Sequence, residues 1–98
     1  MYRNREIYNE ERPEGQLSLA PNPAQQKTTV SYTIDNSFKE SIKTIEVYTM
    51  QGVLINSITV KGVEGTKEMY IDRLPTGTYS VILKAGDRKL HRALLIKK

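Results

Sequence analysis

The sequence predicts an all-β domain, a seven-stranded antiparallel β-sandwich of the Ig-like kind. Three observations predict it. Residues 17–97 hold seven short runs of alternating or β-branched residues, about 12 residues apart. Turn-forming Gly, Pro, Asn and Asp separate the runs, and no stretch keeps a helical period long enough to cross over between parallel strands. Tryptophan and cysteine are both absent, so an antibody-type domain with its buried Trp and inter-sheet disulfide is excluded. A small closed barrel is the alternative architecture.

Residues 1–16 show no period of 2 or 3.6 and carry Pro13 and Gly15 near their end, the composition of a linker or tail. A short helix over Arg3–Arg12 would have little to bury. The domain is expected over residues 17–98. Leu17-Ser18-Leu19-Ala20 alternates and then meets Pro21-Asn22-Pro23. The prolines push Ala20 and Asn22 towards extended backbone and remove two donors, as suits an edge strand entering a turn. Lys27–Ile34 alternates cleanly, with Val30, Tyr32 and Ile34 on one face and Thr29, Ser31 and Thr33 on the other. Asp35-Asn36-Ser37 breaks it, and Phe38–Lys43 reads as a loop with room for one helical turn.

Thr44–Met50 sets Ile45 and Val47 opposite Glu46 and Tyr48. Gln51-Gly52 then reads as a two-residue hairpin turn into Val53–Val60. Lys61–Thr66, with Gly62 and Gly65, is a loose turn. Lys67–Asp72 points Met69 and Ile71 inward. Leu74-Pro75-Thr76-Gly77, with Pro second and Gly fourth, has the preference of a type I turn. Thr78–Ala85 places Tyr79, Val81, Leu83 and Ala85 on one face. Ile82 breaks that pattern and is assigned to contact with a neighbouring module. Gly86-Asp87 is a Gly-first hairpin turn. Arg88–Lys97 is the last strand, with Leu90, Leu94 and Ile96 on one face and His91 exposed on the other.

A single domain of 98 residues buries about 60–65% of its unfolded surface and has little room for a substrate cavity beside its core. Without cysteine there is neither a disulfide nor a thiolate metal site. No apolar run approaches the roughly 20 residues that span a bilayer. Met1–Glu6 is polar and is followed by no apolar segment of a signal peptide, so the chain is expected to be either cytosolic or a piece of a longer precursor whose export signal lies upstream. The formal charge of +4 is unevenly spread. Residues 1–14 carry three Arg and four Glu, whereas residues 84–98 carry six Lys and Arg against Asp87 alone. This basic end contains no aromatic, which argues against a nucleic-acid binder, where bases stack on rings between the cations. Lysine on an edge strand also protects it from edge-to-edge pairing.

No constellation for chemistry is visible. His91 is the only histidine and has no nucleophile elbow or acid pair to work with. No calcium loop or metal-ligand spacing occurs, and Gly62-Val63-Glu64-Gly65 lacks the Lys and helix of a phosphate loop. Tyr32 and Tyr79 fall on core faces, and Tyr2 and Tyr8 lie in the tail. Only Tyr48 and Tyr70 remain as an exposed pair for sugar binding. The expectation is a non-enzyme with no cofactor, no small-molecule substrate and no nucleic-acid partner.

With these runs placed, the chain resembles the C-terminal sorting domain of the type IX (Por) secretion system of Bacteroidetes. Leu17–Ala24 looks like its opening segment ending in Pro-Asn-Pro-Ala, and Ile45–Ile55 like its hairpin with Gly52. Ile71–Tyr79 looks like its Leu-Pro-x-Gly-x-Tyr segment. Gly86 and Leu94–Lys98 look like its C-terminal Gly and Lys-ended apolar strand. Ala20 stands where an aromatic is common, and Gln51 replaces a small or polar turn residue. The resemblance implies a β-sandwich at the end of a larger cargo that passes through the periplasm. The secretion machinery, including an outer-membrane shuttle, then carries the cargo to the cell surface or medium. A cell-surface sortase-like protease commonly removes the domain, and the cargo is often attached to an anionic lipopolysaccharide. The expected recognition residues are Leu74, Pro75, Gly77, Tyr79, Gly86, Leu94, Ile96, Lys97 and Lys98. The expected processing region is Pro13, Glu14, Gly15 and Gln16. The alternative function is an Ig-like adhesion or carbohydrate-binding module.

Overall fold

The structure, a computed structural model, describes residues 14–98. The expectations for Pro13, for a helix over Arg3–Arg12 and for Tyr2 and Tyr8 lie outside the described residues. The strands are β1 (Gly15–Ala20), β2 (Lys27–Ile34), β3 (Lys43–Thr49), β4 (Leu54–Val60), β5 (Glu64–Tyr70), β6 (Gly77–Ala85) and β7 (Arg88–Lys97). They form a three-stranded sheet in the order β1-β2-β5 and a four-stranded sheet in the order β4-β3-β6-β7. Every strand pairing is antiparallel, as the sequence predicts for an Ig-like sandwich. In the constant-type arrangement the fourth strand joins the first, second and fifth. Here a short hairpin loop holds β4 beside β3 instead. Thr49 N–H donates to the Val53 carbonyl and Gly52 N–H to the Thr49 carbonyl, both at 2.9 Å. The loop is therefore Met50-Gln51-Gly52, one residue longer than the sequence suggests, with Gly52 at a φ of 93°.

Alternation places the core between the sheets. Val30, Ile45, Val81, Leu83 and Leu95 are completely buried there, with Met69 and Ile71 beside them. Ile71 lies just past the end of β5, where its N–H donates to the Gln26 carbonyl. β5 begins at Glu64, inside the segment expected to be a loose turn. Pairing with β2 overrides the poor strand propensity of Gly65, which packs under the Tyr32 ring. Among the described residues the helical turn lies at Asn36–Phe38, earlier than expected, because Asp35 caps it by accepting from Ser37 N–H.

Two outward-facing features also differ from expectation. Ile82 is only 8% exposed within this chain and is not left for a neighbouring module. It lies on the outer face of a central strand, between Glu46 of β3 and Arg92 of β7. Lys43 is buried, and its ammonium donates to the carbonyls of Lys39 and Ser41 at 3.0 Å, closing the loop before β3.

A candidate recognition surface on the terminal hairpin

Leu74, Pro75, Gly77 and Tyr79 build the corner that enters the hairpin. The hydrogen-bonded turn is Ile71–Leu74, with Leu74 N–H on the Ile71 carbonyl, and not the expected Leu74–Gly77. Leu74 packs half-buried against the core. The Tyr79 hydroxyl donates to the Pro75 carbonyl at 2.5 Å. This is the tyrosine corner of Ig-like sandwiches, where a Tyr early in the sixth strand ties back to the preceding connection. Gly77 opens β6 and pairs with Lys97. Gly86 sits in the β6–β7 turn at a φ of 59°, where a side chain is strained, and its N–H donates to the Ile42 carbonyl.

A register shift then changes which side chains β7 displays. Leu83 pairs with His91 but Lys84 pairs with Lys89, so Leu90 is an extra residue. The bulge reverses the parity that the sequence suggests. Leu90 packs inward alone, whereas Leu94 and Ile96 lie on the outer face at 46% and 44% exposure. Leu95 takes the core position opposite Tyr79 and is 0% exposed. His91 is half-buried opposite Leu83 rather than exposed on the outer face, and it faces a groove shared with Ser18 and Ser31.

The outer edge of β7 is clamped by the Pro-Asn-Pro-Ala segment. Asn22 donates from Nδ2 to the Leu94 carbonyl at 2.7 Å, and its Oδ1 accepts from Ile96 N–H at 2.9 Å. Ala24 N–H donates to the Ile96 carbonyl and the Ala24 carbonyl accepts from Lys98 N–H, both at 2.9 Å. Ala24 and Lys97 thus form a short parallel bridge. Two segments about as far apart in sequence as the domain allows become one structural unit. Asn22 and Ala24 are the residues that sequence reasoning left out of the site. The signal was an amide side chain fixed between two prolines beside an unpartnered edge.

The residues of the expected processing region divide. Gly15 and Gln16 belong to β1, paired with Ile34 and Thr33. Gly15 is buried, and a Cβ there would lie 2.9 Å from Leu90 Cβ, so even alanine forces the bulge to move. Glu14 holds the base of the hairpin by a bidentate pair with Arg88, at 2.8 and 2.6 Å. The sandwich therefore starts before Leu17.

Across the four-stranded sheet, the outer face reads Leu54, Tyr48, Ser80, Leu94 in one row and Ser57, Glu46, Ile82, Arg92 in the next. Glu46 accepts from the Tyr48 hydroxyl at 2.5 Å and pairs with Lys84 at 3.5 Å. The hydrogen bond to Glu46, with desolvation and the carboxylate charge adding to it, holds the Tyr48 phenol above its ordinary pKa of 10.0. Tyr70 is on β5 of the other sheet, stacked under Lys27. Tyr48 and Tyr70 therefore lie on opposite sheets and make no common sugar platform. Among the described residues no group of His, Asp and Glu converges to hold a metal, and no helix is long and apolar enough to cross a membrane.

A sandwich that ties its opening segment to its last strand defines an Ig-like β-sandwich module. The chain belongs to the secretion system C-terminal sorting domain family, whose model matches residues 18–97. It is a C-terminal sorting signal of the type IX secretion system, which implies interaction with that system and export to the cell surface or medium. The family is one of sorting signals and is not known for catalysis. No curated protein and no solved structure matches the chain.

Proposed function

We propose that this domain is the folded address of a cargo joined ahead of it, carried through the periplasm and read at the outer membrane by the shuttle of the type IX machinery. The terminal hairpin supplies the signal, with its residues doing two kinds of work. Leu74, Pro75, Gly77, Tyr79 and Gly86 set the corner and the turn, whereas Leu94, Ile96, Lys97 and Lys98 offer side chains or charge to the reader. The observation that carries this reading is the outward display of Leu94 and Ile96 beside a buried Leu95. Asn22 and Ala24 already occupy the strand edge at residues 94–98, which favours reading by side chains over addition of a strand there. The test is a reporter carrying the chain at its end in a type IX-competent bacterium. Leu94→Ser with Ile96→Ser is expected to keep the fold and strand the reporter in the periplasm; normal surface display sinks the reading.

Removal of the domain by a sortase-like protease follows the same logic. Cleavage needs several residues of extended, unpaired chain, and the bonds from Glu14 to Gln16 are tied into β1 and to Arg88. The cut is expected before Glu14, in the segment that includes Pro13. Intact-mass analysis of the released domain checks this, and a fragment beginning at Leu17 would refute it.

A further inference from the structure

We infer that the groove on the outer face of the four-stranded sheet, between the β3–β4 loop and β7, is the docking site for an acidic segment of a protein partner. This inference rests on the secretion-signal reading and names the chemistry that would recognise the address. The groove is open and shallow, about 280 Å³. Ser80 and Ile82 form its floor, Tyr48 and Met50 one wall, and Lys89 and Arg92 the other. It runs directly into exposed Leu94 in the row that also holds Tyr48.

Its charge is one-sided. The one acidic residue in these rows, Glu46, is engaged by Tyr48 and Lys84. Among the described residues, Lys89 and Arg92 have no carboxylate partner. Arg92 spends only its Nε on the Ser80 hydroxyl, at 2.5 Å. That bond orients the guanidinium and leaves its terminal nitrogens to face an incoming group. A planar fork held in this way matches a carboxylate in two-point contact. An aromatic and an arginine around Ile82, with lysine at the rim, is also the composition of a protein-binding hot spot. A concave basic site suits an extended peptide better than a membrane surface, whose binding calls for a protruding apolar face that sinks into the headgroup boundary.

A reporter with an export signal ahead of it and the chain behind it separates this inference from the reading beneath it. If the unaltered chain fails to export the reporter, the secretion-signal reading fails. If it exports, Lys89→Glu with Arg92→Glu is expected to lower surface reporter about tenfold, because like charges then face each other. Lys89→Arg with Arg92→Lys is expected to lower it only about twofold, since Lys keeps the charge that the reversal inverts but loses the fork. Undiminished export by the reversed pair overturns the groove alone. Circular dichroism of the purified chain checks its fold. Should the reversed pair unfold, Met50→Asp in the exposed loop repels the same partner without touching a strand, and normal export of that variant overturns the inference equally. Purified chain is also mixed with phosphatidylglycerol vesicles. Binding lost on Arg92→Glu would assign the groove to lipid and overturn the protein assignment; no binding supports it.

Discussion

Leu95→Ala is expected to destabilise the chain by about 3 kcal/mol, as large-to-small changes at closed core sites do. Leu94→Ala, one residue away, is expected to change stability by less than about 0.5 kcal/mol. Leu95 is completely buried against Tyr79 between the sheets, and its removal leaves a cavity that a thin sandwich cannot close. Leu94 is half exposed on the outer face and loses mainly contact with water. Out of a total stability of roughly 5–15 kcal/mol, the first loss is large. Urea unfolding of the two variants measures the contrast directly, as a shift in midpoint at constant slope. Strand registers slip by single residues, and a slip exchanges the buried and exposed faces wholesale. If Leu94→Ala proved the costly change, β7 would be paired one residue out of the register described here. The contrast also separates two routes to lost secretion. On the proposed reading, Leu95 acts through folding, whereas Leu94 acts through what the folded domain shows to its reader.

The same strand marks where sequence reasoning stops. β2 and β6 were legible because the alternation of Val30, Tyr32 and Ile34, and of Tyr79, Val81 and Leu83, survives unbroken in the sandwich. β7 was not, because period-2 reading assumes an even ladder. One bulged residue, Leu90, shifts parity between the two halves of the strand. Leu90, Leu94 and Ile96 then look like one face in the sequence and are not. Ile82 looked surplus for a related reason: a central strand flanked by Glu46 and Arg92 is covered on its outer side too. Sheet order lies further from local pattern still. Nothing in the runs around Tyr48 and Tyr70 says that they belong to different sheets, since this depends on β3 pairing with β6 and β5 with β2. The motifs carried by the resemblance were legible as motifs, but their physical meanings came only with contacts. One is a tyrosine corner at Pro75 and Tyr79. The other is a clamp from Asn22 and Ala24 onto the last strand.

That clamp supports the second large prediction. Asn22→Ala removes two hydrogen bonds to β7 and is expected to cost about 2 kcal/mol, at about 1 kcal/mol for each bond. The loss should be local. From Leu94 on, the even-numbered residues of β7 turn their backbone groups towards residues 22–24, while β6 pairs with the other edge. Hydrogen exchange is therefore expected to rise at the Ile96 and Lys98 amides and to remain slow at Leu95. Uniform loss of protection along β7 would instead mean that the clamp holds the whole hairpin. Asn22→Asp provides a signed control. It keeps an acceptor for Ile96 N–H but sets a carboxylate against the Leu94 carbonyl where an N–H had been. Protonation gives the carboxyl an O–H to donate there, so its deficit is expected to shrink as pH falls through the carboxylate range. Releasing residues 22–24 also uncovers a strand edge whose exposed neighbours are Leu94 and Ile96. Such an edge pairs readily with another copy, and Lys97 and Lys98 oppose this only by charge. Asn22→Ala is thus expected to associate with rising concentration, and more so in high salt, where that repulsion is screened. Sedimentation of this variant beside the unaltered chain tests whether the clamp, rather than the lysines, keeps the edge closed.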